Sequence, residues 1–136
     1  MAEARTFAEL GCIAFEVLQR MDEKVVPRSI GQVCGPITTG GRSSIVVNLR
    51  EFSRYIELLQ SKGLAIFDQV PFEKHLFRIR GVNYQSDSTL LEDFYGPIFE
   101  SGIVKILYFI PGWSSSNGAM WEHRQAVRLN LTIDYL

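Results

Sequence analysis

Short apolar runs alternate with helical segments along this chain, and that alternation restricts the available folds more than any other feature of the sequence. Residues 29–34, 64–67 and 103–110 have the length and apolar character of buried strands, and 131–136 reads as a closing strand. The first helix opens on Thr6-x-x-Glu9, a capping box. Leu10, Ile13, Ala14, Val17, Leu18 and Met21 then recur at helical spacing, until Pro27 enforces an extended connection. A second helix begins at Ser44 or Ile45, carries Leu49, Phe52, Tyr55, Ile56 and Leu59 on one face, and stops at Lys62-Gly63. Residues 71–84 fit two patterns: Phe72 and Leu76 suit a helical turn, whereas Phe77-Arg78-Ile79-Arg80 alternates like an edge strand. Thr89-x-x-Glu92 is a second capping box, ahead of a helical face of Leu90, Leu91, Phe94, Tyr95, Ile98 and Phe99. Gly96-Pro97 breaks that face into a kink or two short helices. A last helix is expected over about 118–128.

Strands separated by helices predict βαβ units and a largely parallel sheet covered on both faces. Right-handed crossovers make 2-1-3-4 the simplest doubly wound strand order. The expectation is therefore an α/β, flavodoxin-like three-layer sandwich with a mostly parallel sheet of four or five strands. It forms a single domain over residues 1–136, with 1–27 as an extra N-terminal helical extension. In such sheets the ligand crevice lies beyond the strand C-termini, between strands 1 and 3. The loops there, 35–44 and 111–117, are the most Gly/Ser/Thr-rich in the chain.

Bulk properties narrow the partners. A chain of 136 residues with 46% hydrophobic and 21% charged residues suits one globular domain, and 12% aromatics favour a packed core. A net charge of −1 without charge blocks argues against a nucleic-acid polymer or a membrane surface as partner. The apolar runs are too short to span a bilayer, and a cytoplasmic protein is expected. Cys12 and Cys34 lie in apolar stretches and are expected as two buried, reduced thiols.

Two segments carry candidate chemistry. The loop Gly35-Pro36-Ile37-Thr38-Thr39-Gly40-Gly41-Arg42-Ser43 is not a P-loop, because no lysine follows the glycines. Its backbone N–H groups, the hydroxyls of Thr38, Thr39, Ser43 and Ser44, and the Arg42 guanidinium suit a single phosphate near a helix N-terminus. A solvated connection would have the same composition. The second segment runs from Trp113 to His123. Glu122 falls about one turn into the last helix, where the dipole favours an ionised carboxylate, and a carboxylate beside a sugar can attack its anomeric carbon. Trp113 or Trp121 could stack on a base, or simply pack. His75 and His123 show no ligand spacing, so neither a metal nor another cofactor is expected. No G-x-S-x-G elbow is present.

The order of "CGPITTGGR", "GLAIFDQV", "DFYGPIFESGIVKILYFIPGW" and "SSSNGAMWEHRQA" resembles the nucleoside 2-deoxyribosyltransferase-like superfamily, in its small bacterial and phage branches. The likeness covers about residues 29–136. Its most specific part is Pro111-Gly112-Trp113 followed by Gly118-x-x-x-Glu122. The resemblance implies a nucleoside or nucleotide N-glycosidase or deoxyribosyltransferase with Glu122 as nucleophile. It further implies base or phosphate contacts from Gly35, Pro36, Thr38, Gly40, Gly41, Arg42 and Ser43, and substrate contacts from Trp113, Ser115, Asn117 and Gly118. Relatives carry an aspartate ahead of strand 3; here Asp93 stands in that region, and Tyr95 is the group to orient Glu122 or a sugar hydroxyl. The acidic residue at the start of strand 3 is replaced by Gly102 or Ile103. The same likeness implies a small-molecule ligand and a homodimer or larger homo-oligomer. The alternative is a non-catalytic nucleotide-binding or structural homo-oligomeric domain of the same fold.

Overall fold

The apolar runs assemble into one parallel sheet of strand order 2-1-3-4, the doubly wound arrangement expected. A computed structural model describes residues 1, 3–24, 29–37, 41, 44–83 and 91–136. The strands are β1 (Ile30–Cys34), β2 (Ala65–Ile66), β3 (Val104–Phe109) and β4 (Thr132–Tyr135). The helices are α1 (Phe7–Lys24), α2 (Ile45–Ser61), α3 (Val70–Asn83), α4 (Gly96–Glu100) and α5 (Asn117–Leu129). A π-helical turn, Leu91–Tyr95, runs directly into α4, with Pro97 in the first turn of that helix. The interruption expected at Gly96-Pro97 thus takes the form of a change in helix type. Among the described residues no helix is long and apolar enough to cross a membrane.

Local chemistry explains the boundaries. Thr6 Oγ1 accepts the Glu9 N–H at 3.1 Å, while Glu9 Oε2 accepts from the Arg5 N–H at 2.7 Å. The reciprocal half of the capping box therefore falls one residue early. Ser44 caps α2 by accepting from Val47 N–H, and Ser116 caps α5 by accepting from Ala119 N–H. Thr89, the start of the other expected capping box, lies outside the described residues. The ambiguous stretch is helical through Asn83: Phe72, Leu76 and Ile79 are all buried, at a spacing only a helix presents to one side. Arg78 faces outward and donates to the carbonyls of Met1 and Ala4, tying the N-terminus to α3.

The two sheet faces are unequal. On one, α2 packs Phe52, Ile56 and Leu59 against Val33, Ile66, Tyr108 and Ile110. The other face is covered by α1, α3, the π-helical turn, α4 and α5, whose side chains join Ile30, Cys34, Val104, Leu107 and Phe109 in the larger core. Helix α1 is integral to that core, with Phe7, Leu10, Ala14 and Leu18 fully buried, each large side chain contributing about 2 kcal/mol. Val17, by contrast, is exposed, as is Cys12. The expectation of two buried thiols is corrected for Cys12, which sits about 200° around the helix from Leu10. Cys34 is buried, and both thiols are free.

β1 lies at the centre, and its residues alternate between the faces. Gly31 and Gly35 point to the α2 side, where a Cβ on Gly31 would come within 2.3 Å of the Tyr108 ring and one on Gly35 within 2.4 Å of Ile110. The glycines leave room for those β3 side chains. The register between β1 and β3 shifts after Ile30↔Val104, so that Gly31 faces Ile106 and Lys105 is the extra residue. Gly31→Ala is expected to lower stability by about 1–3 kcal/mol through overpacking against Tyr108. A thermal midpoint equal to that of the parent would contradict this packing.

Candidate active site

The alternation that turns Gly31 and Gly35 to one face turns Gln32 and Cys34 to the other, beneath α5. That helix presents Ala119, Glu122 and Ala126 inward. The two alanines allow close approach, and the longer side chain between them reaches β1. Gln32 Nε2 donates to Glu122 Oε2 at 3.1 Å, and the Cys34 thiol donates to the same oxygen at 3.2 Å. Gln32 and Cys34 are wholly buried, and Glu122 keeps 8% of its surface accessible.

Burial pushes the Glu122 carboxyl up to about 8; the Cys34 hydrogen bond works against this, the nearby Glu73 charge adds to it, and the Gln32 hydrogen bond opposes it. At pH 7 the group is therefore roughly nine-tenths protonated. The carboxylate expected to be ionised under the helix dipole is thus mostly neutral at that pH. Glu122 lies in the second turn of α5, beyond the reach of that dipole, and loss of water outweighs it. Burial, followed by the Glu122 charge and hydrogen bond, likewise raises the Cys34 thiol well above its ordinary value.

A second pair lies in the same core. Tyr95, at the end of the π-helical turn, stacks on Phe94 and Phe99 and donates its hydroxyl to Glu73 Oε1 at 2.7 Å. Both residues are buried. Tyr95 is raised well above its usual value by burial first, then by the charges of Glu73 and Glu122. The tyrosine expected to orient Glu122 thus bonds a different carboxyl, one that sequence reasoning did not single out. Asp93 is exposed on the other side of the turn, so the structure does not bring it into this cluster.

The loops beyond the strands do meet. Gly41 N–H donates to Ser115 Oγ at 2.9 Å, and Ser115 Oγ donates to Gly112 O at 2.7 Å. Asn48 Nδ2 holds the Ile37 carbonyl at 3.1 Å. Between them is a cleft of about 270 Å³ lined by Pro36, Gly41, Asn48, Glu51, Ile110, Pro111 and Gly112. Gly35 packs beneath it against Ile110. The cleft occupies the expected switch point but opens on the α2 face, whereas Glu122 lies on the other. Thr38, Thr39, Gly40, Arg42 and Ser43 lie outside the described residues. Asn117 and Gly118 form the first turn of α5. Trp113 stacks on His123 at 4.6 Å and packs on Phe109, and His123 Nε2 lies 2.7 Å from the Tyr135 hydroxyl. One face of the Trp113 ring is thus engaged by the protein. Trp121 packs near Phe99.

Gln32 was the readable signal that sequence reasoning passed over, since a glutamine inside a buried strand must find a polar partner. Its Oε1 has none among the described residues. Glu73 had no such signal, because residues 71–84 fitted two structures. Among the described residues no group of three or more His, Cys, Asp or Glu side chains is placed to hold a metal ion. Comparison with protein-family models, with curated proteins and with solved structures finds nothing that matches this chain.

Proposed function

We propose that this domain binds a nucleoside or nucleotide and cleaves its N-glycosidic bond, with Glu122 as the nucleophile. The observation that supports the reading is a buried carboxyl group held by two side chains of the central strand of a parallel sheet. The ionised Glu122 attacks the anomeric carbon, the C–N bond breaks with its electron pair going to the base, and the departing base takes a proton from water. Water then hydrolyses the glycosyl ester, or a second base accepts the sugar. Gln32 and Cys34 direct their hydrogens at one oxygen, which orients the other for attack. Loop residues Gly35, Pro36 and Gly41 and the segment from Trp113 to Gly118 supply contacts to base, sugar or phosphate. The chain acts as a homo-oligomer, a reading supported by exposed Met120 and Val127 on α5 and Tyr135 on the edge strand.

The test is a panel of ribo- and deoxyribonucleosides and their 5′-monophosphates, with free base followed by chromatography. Release from no member by folded protein sinks the enzymatic reading. A pH series adds a sharper expectation. A nucleophile that must lose a proton at about 8 gives a kcat/KM that rises about tenfold per pH unit below that value and levels above it. A profile falling with pH over the same range would instead mark Glu122 as a proton donor.

One observation favours a second reading. The cleft at the switch point is not lined by Glu122, which suits a domain that binds a nucleotide without transforming it. Thermal stabilisation by a nucleotide in the absence of any product would identify that case.

A further inference from the structure

We propose that α2 pairs antiparallel with α2 of a second copy of this chain. The contact rests on the homo-oligomeric part of the reading above, not on its glycosidic part, and it lies on a different surface from α5 and the edge strand. Helix α2 is the only described helix on its face of the sheet. Phe52, Ile56 and Leu59 turn inward, which leaves Val47 (39% exposed), Leu58 (47%) and the charged residues between them at the surface. An open groove of about 720 Å³ runs along this side, lined by Val47, Arg50, Glu51, Ser53, Arg54 and Glu57.

Val47, Glu51, Arg54 and Leu58 recur at steps of four, three and four residues, the spacing of a coiled-coil seam, and so form one narrow stripe. Run in the opposite direction, the stripe is its own complement. A two-fold axis beside the Phe52–Ser53 peptide sets Val47 against the partner's Leu58 and Glu51 against the partner's Arg54. Arg50 and Glu57 each stand one residue ahead of the seam, and in the same register they meet the partner's Glu57 and the partner's Arg50. Within one chain Arg54 reaches Glu51 at 3.7 Å with its side chain 71% exposed, and it lies 5.3 Å above the Tyr55 ring. A pair so exposed is weak enough to be shared with a second copy. An isologous dimer requires a self-complementary surface and an unrelated partner does not, which identifies the occupant as this same chain. Only the end layers are apolar and the middle is ionic, so the pairing is weak, concentration-dependent and salt-sensitive. Glu51 also lines the switch-point cleft, so the contact borders that cleft.

The test is sedimentation equilibrium of the full chain over a concentration series. The parent is expected to dimerise, and added salt to weaken the dimer. Arg54→Glu sets like charges together on both sides of the axis and is expected to weaken self-association by at least about tenfold, as is Glu51→Arg. An equimolar mixture of the two variants restores every opposite pair, and it is expected to form a heterodimer of parental strength. Leu58→Asp, in an end layer, weakens the dimer without touching the ionic middle. A mixture that stays monomeric overturns the proposal. A dimer that ignores all three substitutions also overturns the α2 contact, but leaves association through α5 and the edge strand standing. A chain that is monomeric at every concentration overturns both. None of these outcomes bears on base release, which stands or falls by the nucleoside panel.

Discussion

On the proposed glycosidic reaction, Glu122→Gln should give a folded protein in which base release drops by at least about a thousandfold, because that reaction needs an attacking carboxylate oxygen and the variant keeps only the shape. The glutamine retains an oxygen to accept from Gln32 and Cys34, and it replaces a carboxyl that is already mostly neutral. Glu122→Ala is a poorer probe. It empties a buried position and leaves the Gln32 amide without an acceptor, at a cost of about 2–3 kcal/mol. Loss of turnover in the alanine variant would mix chemistry with unfolding, which the glutamine variant keeps apart. A glutamine variant with parental turnover would remove Glu122 from the mechanism.

The second large effect needs no substrate. Glu122 is raised from 4.5 to about 8 by folding, so over that range the native state binds more protons than the unfolded chain. Stability contributed by the protonated, buried form is fully present below pH 4.5. It declines as pH rises towards 8 and then levels. Integrated over the window the loss is on the order of 4 kcal/mol. Denaturation curves recorded from pH 5 to 9 should show this slope in the parent and not in Glu122→Gln. A parent whose stability is flat across the window would mean that the carboxyl is solvated when folded.

Strand order and most element boundaries were legible in the sequence because each rests on local chemistry: Ser44 and Ser116 as caps, Lys62-Gly63 as a stop, and the apolar runs of β1 and β3. What escaped was set by tertiary contact. Residues 71–83 form a helix because Phe72, Leu76 and Ile79 join the large core, a fact absent from their local pattern. Cys12 is an exception, since the helical spacing of Leu10, Ala14 and Leu18 already places it on the solvent side. At the site, the position of Glu122 was readable, but its protonation was not, since that follows from partners far along the chain. The Tyr95 hydroxyl goes to Glu73 and Asp93 lies exposed, both set by how the π-helical turn sits on the core.

The hydrogen bond from Gln32 to Glu122 joins residues 90 positions apart, and every strand pairing in the sheet is parallel. During synthesis β1 leaves the ribosome long before β3, its central neighbour, and longer still before the helix that carries Glu122. Local helices can form early, but the central pairing and the buried carboxyl wait for β3 and α5. A nascent chain stopped short of α5 would hold Gln32 and Cys34 on a strand without their partner. Closure of the polar cluster therefore waits until α5 has been made.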